Sequence, residues 1–230
     1  RSLWAANGSN EIIQTIFLAF GGFGRHALGF EPSYSMHRNI SRATGTQWIA
    51  VERNDDYSID LGSAAEVINA QSPTLIFLTT PNNPTGTVTS LTDIERIAQI
   101  CRERNSLLVI DEAYQEFSSE QSAVTLIDKY PNIIVSRTMS KAFAFAGTRL
   151  GYLVANPSVV DALQLVRLPY HLSTATQALA IVALSYSQEL LGNVALLSKE
   201  RERVRQQLER LGVSALQSGA NFFLLATATP

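Results

Sequence analysis

The chain has 230 residues, of which 46% are hydrophobic, and its formal net charge is −2 at pH 7. This length and apolar content predict a protein with one substantial core. The arginines are dispersed and form no basic stripe, so nucleic acid is not expected as the main partner. No apolar run approaches the roughly 18 residues needed to cross a bilayer and no secretory signal is visible, so we expect a cytoplasmic protein without membrane contact.

The first predicted helix follows a turn that contains a glycine. Asn7-Gly8-Ser9-Asn10-Glu11 precedes large apolar residues that recur at helical spacing from Ile12 to Phe20. Free backbone amides and the positive end of the helix dipole at such a turn suit a phosphate group. Taken alone, the motif favours ordinary N-caps at Ser9 and Asn10. Gly21-Gly22-Phe23-Gly24 follows a helix and not a strand, so it is interpreted as a helix-ending turn and not as a nucleotide loop.

A buried strand predicted at residues 74–80 runs into a tight loop, Pro81-Asn82-Asn83-Pro84-Thr85-Gly86. Two prolines and a glycine in six residues fix the backbone of this loop, so the Asn83 amide is presented rigidly. Such an amide can donate to a phenolate oxygen or to a carboxylate. The motif is also compatible with a simple turn.

The next strand, predicted at residues 107–110, is fully apolar and is followed by Asp111. Ligands of open α/β sheets bind beyond the carboxyl ends of the strands, which is where this acid is expected. A carboxylate in that position can keep a pyridine nitrogen protonated. The alternative is that Asp111 only caps the following segment.

Lys141 lies about thirty residues further on, after a strand predicted at residues 133–136. A lysine used as a nucleophile must be desolvated or placed beside other cations. Its sequence neighbours predict an apolar surround, and Arg137 and Arg149 predict a positive charge that also attracts a phosphate. The alternative is an ordinary solvated surface lysine. The apolar neighbours are Met139, Ala142, Phe143, Ala144, Phe145 and Ala146.

Further strands are predicted at residues 47–51 and 150–155, and all of these strands alternate with helical stretches. This order predicts an α/β fold with a mostly parallel sheet between helices. From Val194 the pattern changes to a polar helix with charges of both signs, which indicates a solvated face. We place a domain boundary near Gly192, with residues 1–192 as the large domain and residues 193–230 as the start of a smaller α/β domain that includes a strand at residues 222–226.

The only cysteine, Cys101, lies on the apolar face of a helix predicted at residues 91–104, which favours a core position. The three histidines are His26, His37 and His171, and their spacing is not typical of metal ligands. No metal is therefore predicted. His171 is expected to pack near the site without titrating in it.

Taken in order, these segments resemble the fold-type I aminotransferases over nearly all of the chain, and within them the histidinol-phosphate aminotransferase family. Members of this group are longer at both ends, so we expect a piece with the cofactor domain and the beginning of the carboxy-terminal domain. The motifs that carry the resemblance are residues 7–11, Glu31-Pro32-Ser33-Tyr34, residues 81–86, Asp111-Glu112-Ala113-Tyr114-Gln115-Glu116-Phe117, Thr138-Met139-Ser140-Lys141-Ala142-Phe143, residues 146–152 and residues 167–173.

The resemblance implies pyridoxal 5'-phosphate as cofactor. Lys141 would form a Schiff base with it and later shuttle a proton, and Asp111 would pair with the pyridinium nitrogen. Tyr114 and Asn83 would hydrogen-bond the phenolic oxygen, stabilise its charged form and thereby lower the imine pKa. Tyr34 would stack on the ring. The phosphate would be held by Ser9, Asn10, Thr138, Ser140 and Arg149.

The resemblance also implies amino transfer from histidinol phosphate to 2-oxoglutarate, giving imidazole-acetol phosphate and glutamate, in histidine biosynthesis. A homodimer is implied as well. The residues leave alternatives open: an aromatic amino acid aminotransferase, a threonine-phosphate decarboxylase of the same fold, or a non-catalytic ligand-binding module. The Pro169-Tyr170-His171 segment favours histidinol phosphate, and the presence of Lys141 and Asp111 disfavours the non-catalytic module.

Overall fold

The structure, a computed structural model, describes residues 2–226 of the chain. Helices alternate with strands along the chain, and the strands form one large sheet and one small sheet. The strands are β1 (Leu3–Ala6), β2 (His26–Glu31), β3 (Gln47–Glu52), β4 (Leu75–Thr79), β5 (Leu107–Asp111), β6 (Ile133–Thr138), β7 (Gly151–Ala155), β8 (Ser214–Ala215) and β9 (Leu225–Ala226). The α-helices are α1 (Ser9–Phe20), α2 (Met36–Ala43), α3 (Leu61–Gln71), α4 (Leu91–Glu103), α5 (Pro157–Val166), α6 (Thr174–Ser185) and α7 (Ser187–Arg210).

The large sheet has seven strands in the order β1-β7-β6-β5-β4-β2-β3. The five adjacent strands β6, β5, β4, β2 and β3 run parallel, whereas β7 is antiparallel to both of its neighbours, β1 and β6. This topology confirms the predicted α/β fold with a mostly parallel sheet. The carboxyl ends of β4, β5 and β6 meet at one edge, where ligands of such sheets bind.

Alternate residues of β4 pack into two different cores, which explains its uninterrupted apolar sequence. Leu75 and Phe77 lie in the core that α1 and α5 cover, whereas Ile76 and Leu78 lie in the core that α3 and α4 cover. β5 and β6 alternate in the same way between the two cores. The sheet is therefore covered by helices on both faces, as the sequence predicted.

Three strands, β1, β2 and β8, are not predicted from the sequence. Of these, β2 contains a glycine and follows the glycine-rich turn. Gly29 lies in the middle of this strand, and a Cβ atom there would be 2.2 Å from Cζ2 of Trp48 on the adjacent strand. The glycine thus makes room for the indole ring of β3. Because this close approach depends on a neighbouring strand, no local pattern indicates it.

The predicted domain boundary at Gly192 falls inside α7, which continues without interruption to Arg210. The charged face of α7 carries mixed-sign pairs, including Arg203 with Glu200, in agreement with a solvated helix. Beyond α7, β8 and β9 form a separate antiparallel pair. Over residues 2–226 no single helix is long and apolar enough to cross a bilayer, although α6 and α7 pass that test as a pair bent by 72°.

Candidate active site

A cavity of about 200 Å³ opens at the carboxyl edge of the large sheet. It is lined by twelve residues, and these include all ten that the sequence analysis selected for the cofactor. The two others are Thr79, inside the strand predicted at residues 74–80, and Ala113, inside the motif that begins at Asp111; neither was assigned to the site because neither carries distinctive chemistry. The full lining comprises Ser9, Asn10, Tyr34, Thr79, Asn83, Asp111, Ala113, Tyr114, Thr138, Ser140, Lys141 and Arg149.

Asp111 ends β5 and is buried, with two fixed hydrogen-bond partners. Its Oδ1 atom accepts from the backbone amide of Ala113 at 3.2 Å, so the capping role that the sequence left open is also present. Its Oδ2 atom lies 3.1 Å from Nε2 of His37. The sequence analysis did not assign His37 to the site, and its position three residues after Tyr34 was the only available signal. An ionised carboxylate only accepts, so against that form the His37 nitrogen must be the donor.

Lys141 is exposed in the cavity, and its Nζ atom lies 5.3 Å from the centre of the Tyr114 ring. The predicted apolar surround is wrong in this respect. Met139, Ala142 and Phe143 turn away into a core cluster that also contains Tyr114, and Ala144 is exposed. A turn at residues 139–145 reverses the chain. The apolar residues next to the lysine in sequence therefore pack into the core that anchors this turn, and they do not enclose the amine.

Donors for an anion converge on the start of α1. Gly8 precedes this helix with φ +88°, and the amides of a first helical turn have no acceptor within their own helix. The guanidinium of Arg149 lies against Gly8, where a Cβ atom would be only 2.4 Å from Nη2. The Thr138 and Ser140 hydroxyls, which line the same cavity, are linked at 2.9 Å. Amides, two hydroxyls and a guanidinium form a suitable set of donors for a phosphate dianion.

The two adjacent asparagines of the loop after β4 have different environments. Asn82 is buried, where its amide donates to the Pro32 carbonyl at 3.0 Å and to the Thr85 hydroxyl at 2.8 Å. Asn83 is half-buried and lines the cavity, as predicted. Asn82 therefore holds the loop together while its neighbour is presented to the cavity.

The structure corrects the charge role predicted for Arg137, and it places His171 in a packed position. Arg137 does not line the cavity, because its guanidinium binds Glu112 at 3.0 Å and Glu116 at 2.9 Å. It is therefore not a phosphate-attracting charge. His171 lines a separate cavity of about 800 Å³, where its ring stacks on Trp4 and its Nε2 atom lies 2.9 Å from the Ala5 carbonyl. It packs outside the Lys141 cavity.

The chain is similar to curated histidinol-phosphate aminotransferases. It is 58% identical to that of Corynebacterium glutamicum (strain R) over 222 residues, which cover 96% of this chain and 60% of the relative. It is 55% identical to that of Thermobifida fusca (strain YX) over 225 residues, with 97% and 60% covered. The chain thus spans about 60% of the length of these relatives. These identities confirm the resemblance inferred from the motifs.

Solved structures share the fold. A histidinol-phosphate aminotransferase from Sinorhizobium meliloti in complex with pyridoxal-5'-phosphate matches with TM-score 0.91 and 25% identity, over 99% of this chain and 62% of that one. A putative histidinol-phosphate aminotransferase from Erwinia carotovora atroseptica matches with TM-score 0.92 and 26% identity, over 100% and 67%. The model of the family "Aminotransferase class I and II" matches residues 1–230. The chain therefore belongs to the aminotransferase class I and II family.

Proposed function

We propose that this protein is a pyridoxal phosphate-dependent aminotransferase of histidine biosynthesis. It would move an amino group from histidinol phosphate to 2-oxoglutarate, giving imidazole-acetol phosphate and glutamate. The observation that carries the proposal is the single cavity in which the Lys141 amine, the Asp111 carboxylate and the Arg149 guanidinium converge. Further support comes from the curated relatives named histidinol-phosphate aminotransferases and from the neighbour solved with pyridoxal-5'-phosphate.

The cavity suits each chemical group of this cofactor. An amine is present for the aldehyde, a buried carboxylate for the ring nitrogen, and a set of donors for the phosphate. At the phosphate end of the cavity, the backbones of β7 and α1 come very close together. A Cβ atom on Gly151 of β7 would lie 2.5 Å from the Ser9 amide nitrogen. Because only glycine fits there, the start of α1 can pack tightly against β7 and keep its amides directed toward the cavity.

When bound, pyridoxal phosphate supplies an aldehyde that condenses with amines and a protonated ring that withdraws electrons from the reacting carbon. Lys141 is the amine of this chain that would hold the aldehyde. Once freed from the aldehyde, the same amine would carry a proton between the substrate carbon and the cofactor carbon. Its exposed position beside the Tyr114 ring leaves it free to swing between these two tasks.

The other lining residues would orient the ring and maintain its charge. Asp111, held by His37 and by the Ala113 amide, would keep a proton on the ring nitrogen. Tyr114 and Asn83 would donate to the phenolic oxygen. Tyr34, whose hydroxyl donates to Oδ1 of Asn10 at 3.2 Å, would cover one face of the ring. The phosphate would be bound by Ser9, Asn10, Thr138, Ser140 and Arg149.

The complete protein is proposed to act as a homodimer in the cytoplasm. Support for the dimer comes from large apolar side chains on α6 that stay exposed in a single copy, including Ile181, Val182 and Leu184.

Support for the cytoplasm comes from the free thiol of Cys101, which suits a reducing compartment. Residues 193–230 are proposed to begin a second, smaller domain. Sedimentation tests the homodimer, cell fractionation tests the cytoplasmic location, and limited proteolysis tests the domain division.

The reaction is tested with a purified protein that contains the whole of this sequence. The expected result is glutamate-dependent amination of imidazole-acetol phosphate without release of carbon dioxide. A Lys141→Ala variant with an unchanged melting temperature is the matched control and should have no activity. Preferential amination of phenylpyruvate would replace the substrate assignment by an aromatic amino acid, and carbon dioxide from threonine phosphate would replace it by a decarboxylation. Binding of the cofactor without any turnover would favour a ligand-binding module.

A further inference from the structure

The Arg137 side chain binds two carboxylates on the neighbouring segment of chain. Its Nε atom donates to Oε2 of Glu112 at 3.0 Å, and its Nη1 atom donates to Oε1 of Glu116 at 2.9 Å. All three side chains are largely shielded from water, with exposed fractions of 16% for Arg137, 1% for Glu112 and 13% for Glu116. Shielding makes these contacts stronger than surface pairs and makes the loss of either partner costly.

The two carboxylates lie on either side of Tyr114 along the chain, in the segment that directly follows Asp111. Arg137 lies on β6, one residue before Thr138 and four before Lys141. One guanidinium thus connects the strand that leads to the lysine with the segment that carries Tyr114 and Asp111. None of the three connecting side chains lines the cavity itself.

The two arms of this contact differ in how much they depend on Arg137. Glu112 also accepts from the Ser122 hydroxyl and from the Ala123 amide, both at 2.7 Å, so it stays fixed without the arginine. Glu116 has a buried Oε2 atom without a partner among the described residues. Burial raises the pKa of Glu116, and the nearby charge of Arg137 opposes that rise. The Glu116 arm is therefore the one that the arginine maintains.

A tyrosine completes the surroundings of the guanidinium. Tyr152 lies directly opposite Arg137 in the antiparallel β6 and β7 pair, and it packs against the core cluster that contains Tyr114, Met139 and Phe143. Arg137 is therefore flanked by Tyr152 of β7 and held by the carboxylates of Glu112 and Glu116. A fork of fixed donors held in this way sets the distance between two pieces of backbone more precisely than the single amine of a flexible lysine does.

We infer that Arg137 is a positioning residue that fixes Tyr114 relative to Lys141 by binding Glu112 and Glu116. This inference rests on the proposed function, because its consequence is the placement of the Tyr114 hydroxyl against the phenolic oxygen of the cofactor. Loss of the fork should move that hydroxyl, and a displacement of about 1 Å in such a site can cost about a hundredfold in rate. Charge stabilisation on the phenolic oxygen would weaken with it.

The test compares Arg137→Met with Arg205→Met in the protein loaded with pyridoxal phosphate. Arg205 is a matched control, because it binds Glu202 and Glu209 on α7 and lies outside the cavity. Arg137→Met should raise the pH midpoint of the visible absorbance change by about one unit and weaken cofactor binding roughly tenfold. Arg137→Lys should restore part of both effects. Arg205→Met should behave like the wild type.

A second variant addresses the possibility that Arg137→Met does not fold. Glu116→Ala leaves the Arg137 to Glu112 arm intact, and it should show the same upward shift of the midpoint with a melting temperature near that of the wild type. Wild-type values of midpoint and affinity in Glu116→Ala, or in a folded Arg137→Met, would overturn the inference. A wild-type protein that stays colourless with the cofactor would instead overturn the proposed function.

Discussion

The Nε2 atom of His37 lies 3.1 Å from the Oδ2 atom of Asp111, and both side chains are buried, with residue exposures of 2% and 3%. The two residues are 74 positions apart in the sequence. His37 is held between two aromatic rings: its ring meets Tyr34 edge-on at 5.5 Å and lies 4.9 Å from Phe77. The imidazole is therefore fixed against the carboxylate without lining the cavity itself.

Replacing His37 by phenylalanine should remove the hydrogen bond while preserving the ring contacts. Asp111 would lose one of its two fixed partners, and a hydrogen bond to a charged group is worth about 1.5–3 kcal/mol. We expect binding of pyridoxal phosphate, measured by the change in visible absorbance, to weaken by roughly tenfold or more. His26→Ala is the control, because His26 also forms a hydrogen bond, with Gln47, but at the exposed start of β2. Equal affinities in wild type and His37→Phe would contradict a role for this pair.

Gly8→Ala should act on the phosphate end of the cavity alone. The new Cβ atom would lie 2.4 Å from Nη2 of Arg149 and would displace the guanidinium. Affinity for pyridoxal phosphate should fall by at least about tenfold, because a charge-assisted contact is lost, whereas affinity for pyridoxal, which has no phosphate, should change little. Gly24→Ala is the matched control, since its φ of +76° carries the same kind of backbone strain and its added Cβ atom would meet no atom of residues 2–226 within 4 Å. A parallel loss for both ligands would argue against a phosphate site at Gly8.

The two adjacent asparagines should separate stability from binding. Asn82→Ala removes the contacts with Pro32, Thr85 and Ser33, so the free energy of unfolding should fall by about 2 kcal/mol in urea titrations. Asn83→Ala should leave that free energy nearly unchanged and should weaken cofactor binding. The opposite pattern, with a destabilised Asn83 variant and a normal Asn82 variant, would show that the loop has been interpreted incorrectly.

Cys101 should make the protein less stable at alkaline pH. Burial raises the pKa of its thiol from 9.0 to about 12. Between these two values the unfolded chain releases the thiol proton while the folded chain retains it, so the free energy of unfolding falls as pH rises. The fall reaches at most about 1.4 kcal/mol per pH unit. Urea titrations from pH 8 to about pH 11 should give a shallower decline for Cys101→Ala than for wild type, and identical slopes would contradict this explanation.

The sequence predicted those parts of the molecule that are determined by local pattern. β4 and β5 are largely apolar runs because helices cover both of their faces, and Asp111 ends β5 where ligand-binding residues of such sheets are found. The resemblance added the roles of residues that come together only after folding. β2 was not predicted, because Gly29 is required by the Trp48 ring of the next strand and not by its own neighbours.

The errors concern charged and titratable groups whose partners lie elsewhere in the chain. Arg137 was interpreted from its position near Lys141, yet Glu112 and Glu116 from the adjacent strand end neutralise it. The spacing of the histidines predicts no metal site and gives His37 no role, although the sheet brings it to Asp111. The electrostatic environment of a side chain depends on what the fold places beside it, and sequence distance carries little information about that.

Reductive trapping tests the central claim most directly. This sequence contains three lysines, Lys129, Lys141 and Lys199, and peptide mapping distinguishes them from one another. A purified protein containing this sequence would be saturated with pyridoxal phosphate, treated with borohydride and digested for mass spectrometry. The expected result is loss of the visible absorbance together with a label on Lys141 that Lys141→Ala abolishes. A label on Lys129 or Lys199 alone, or no label in a folded protein, would contradict the assignment of Lys141.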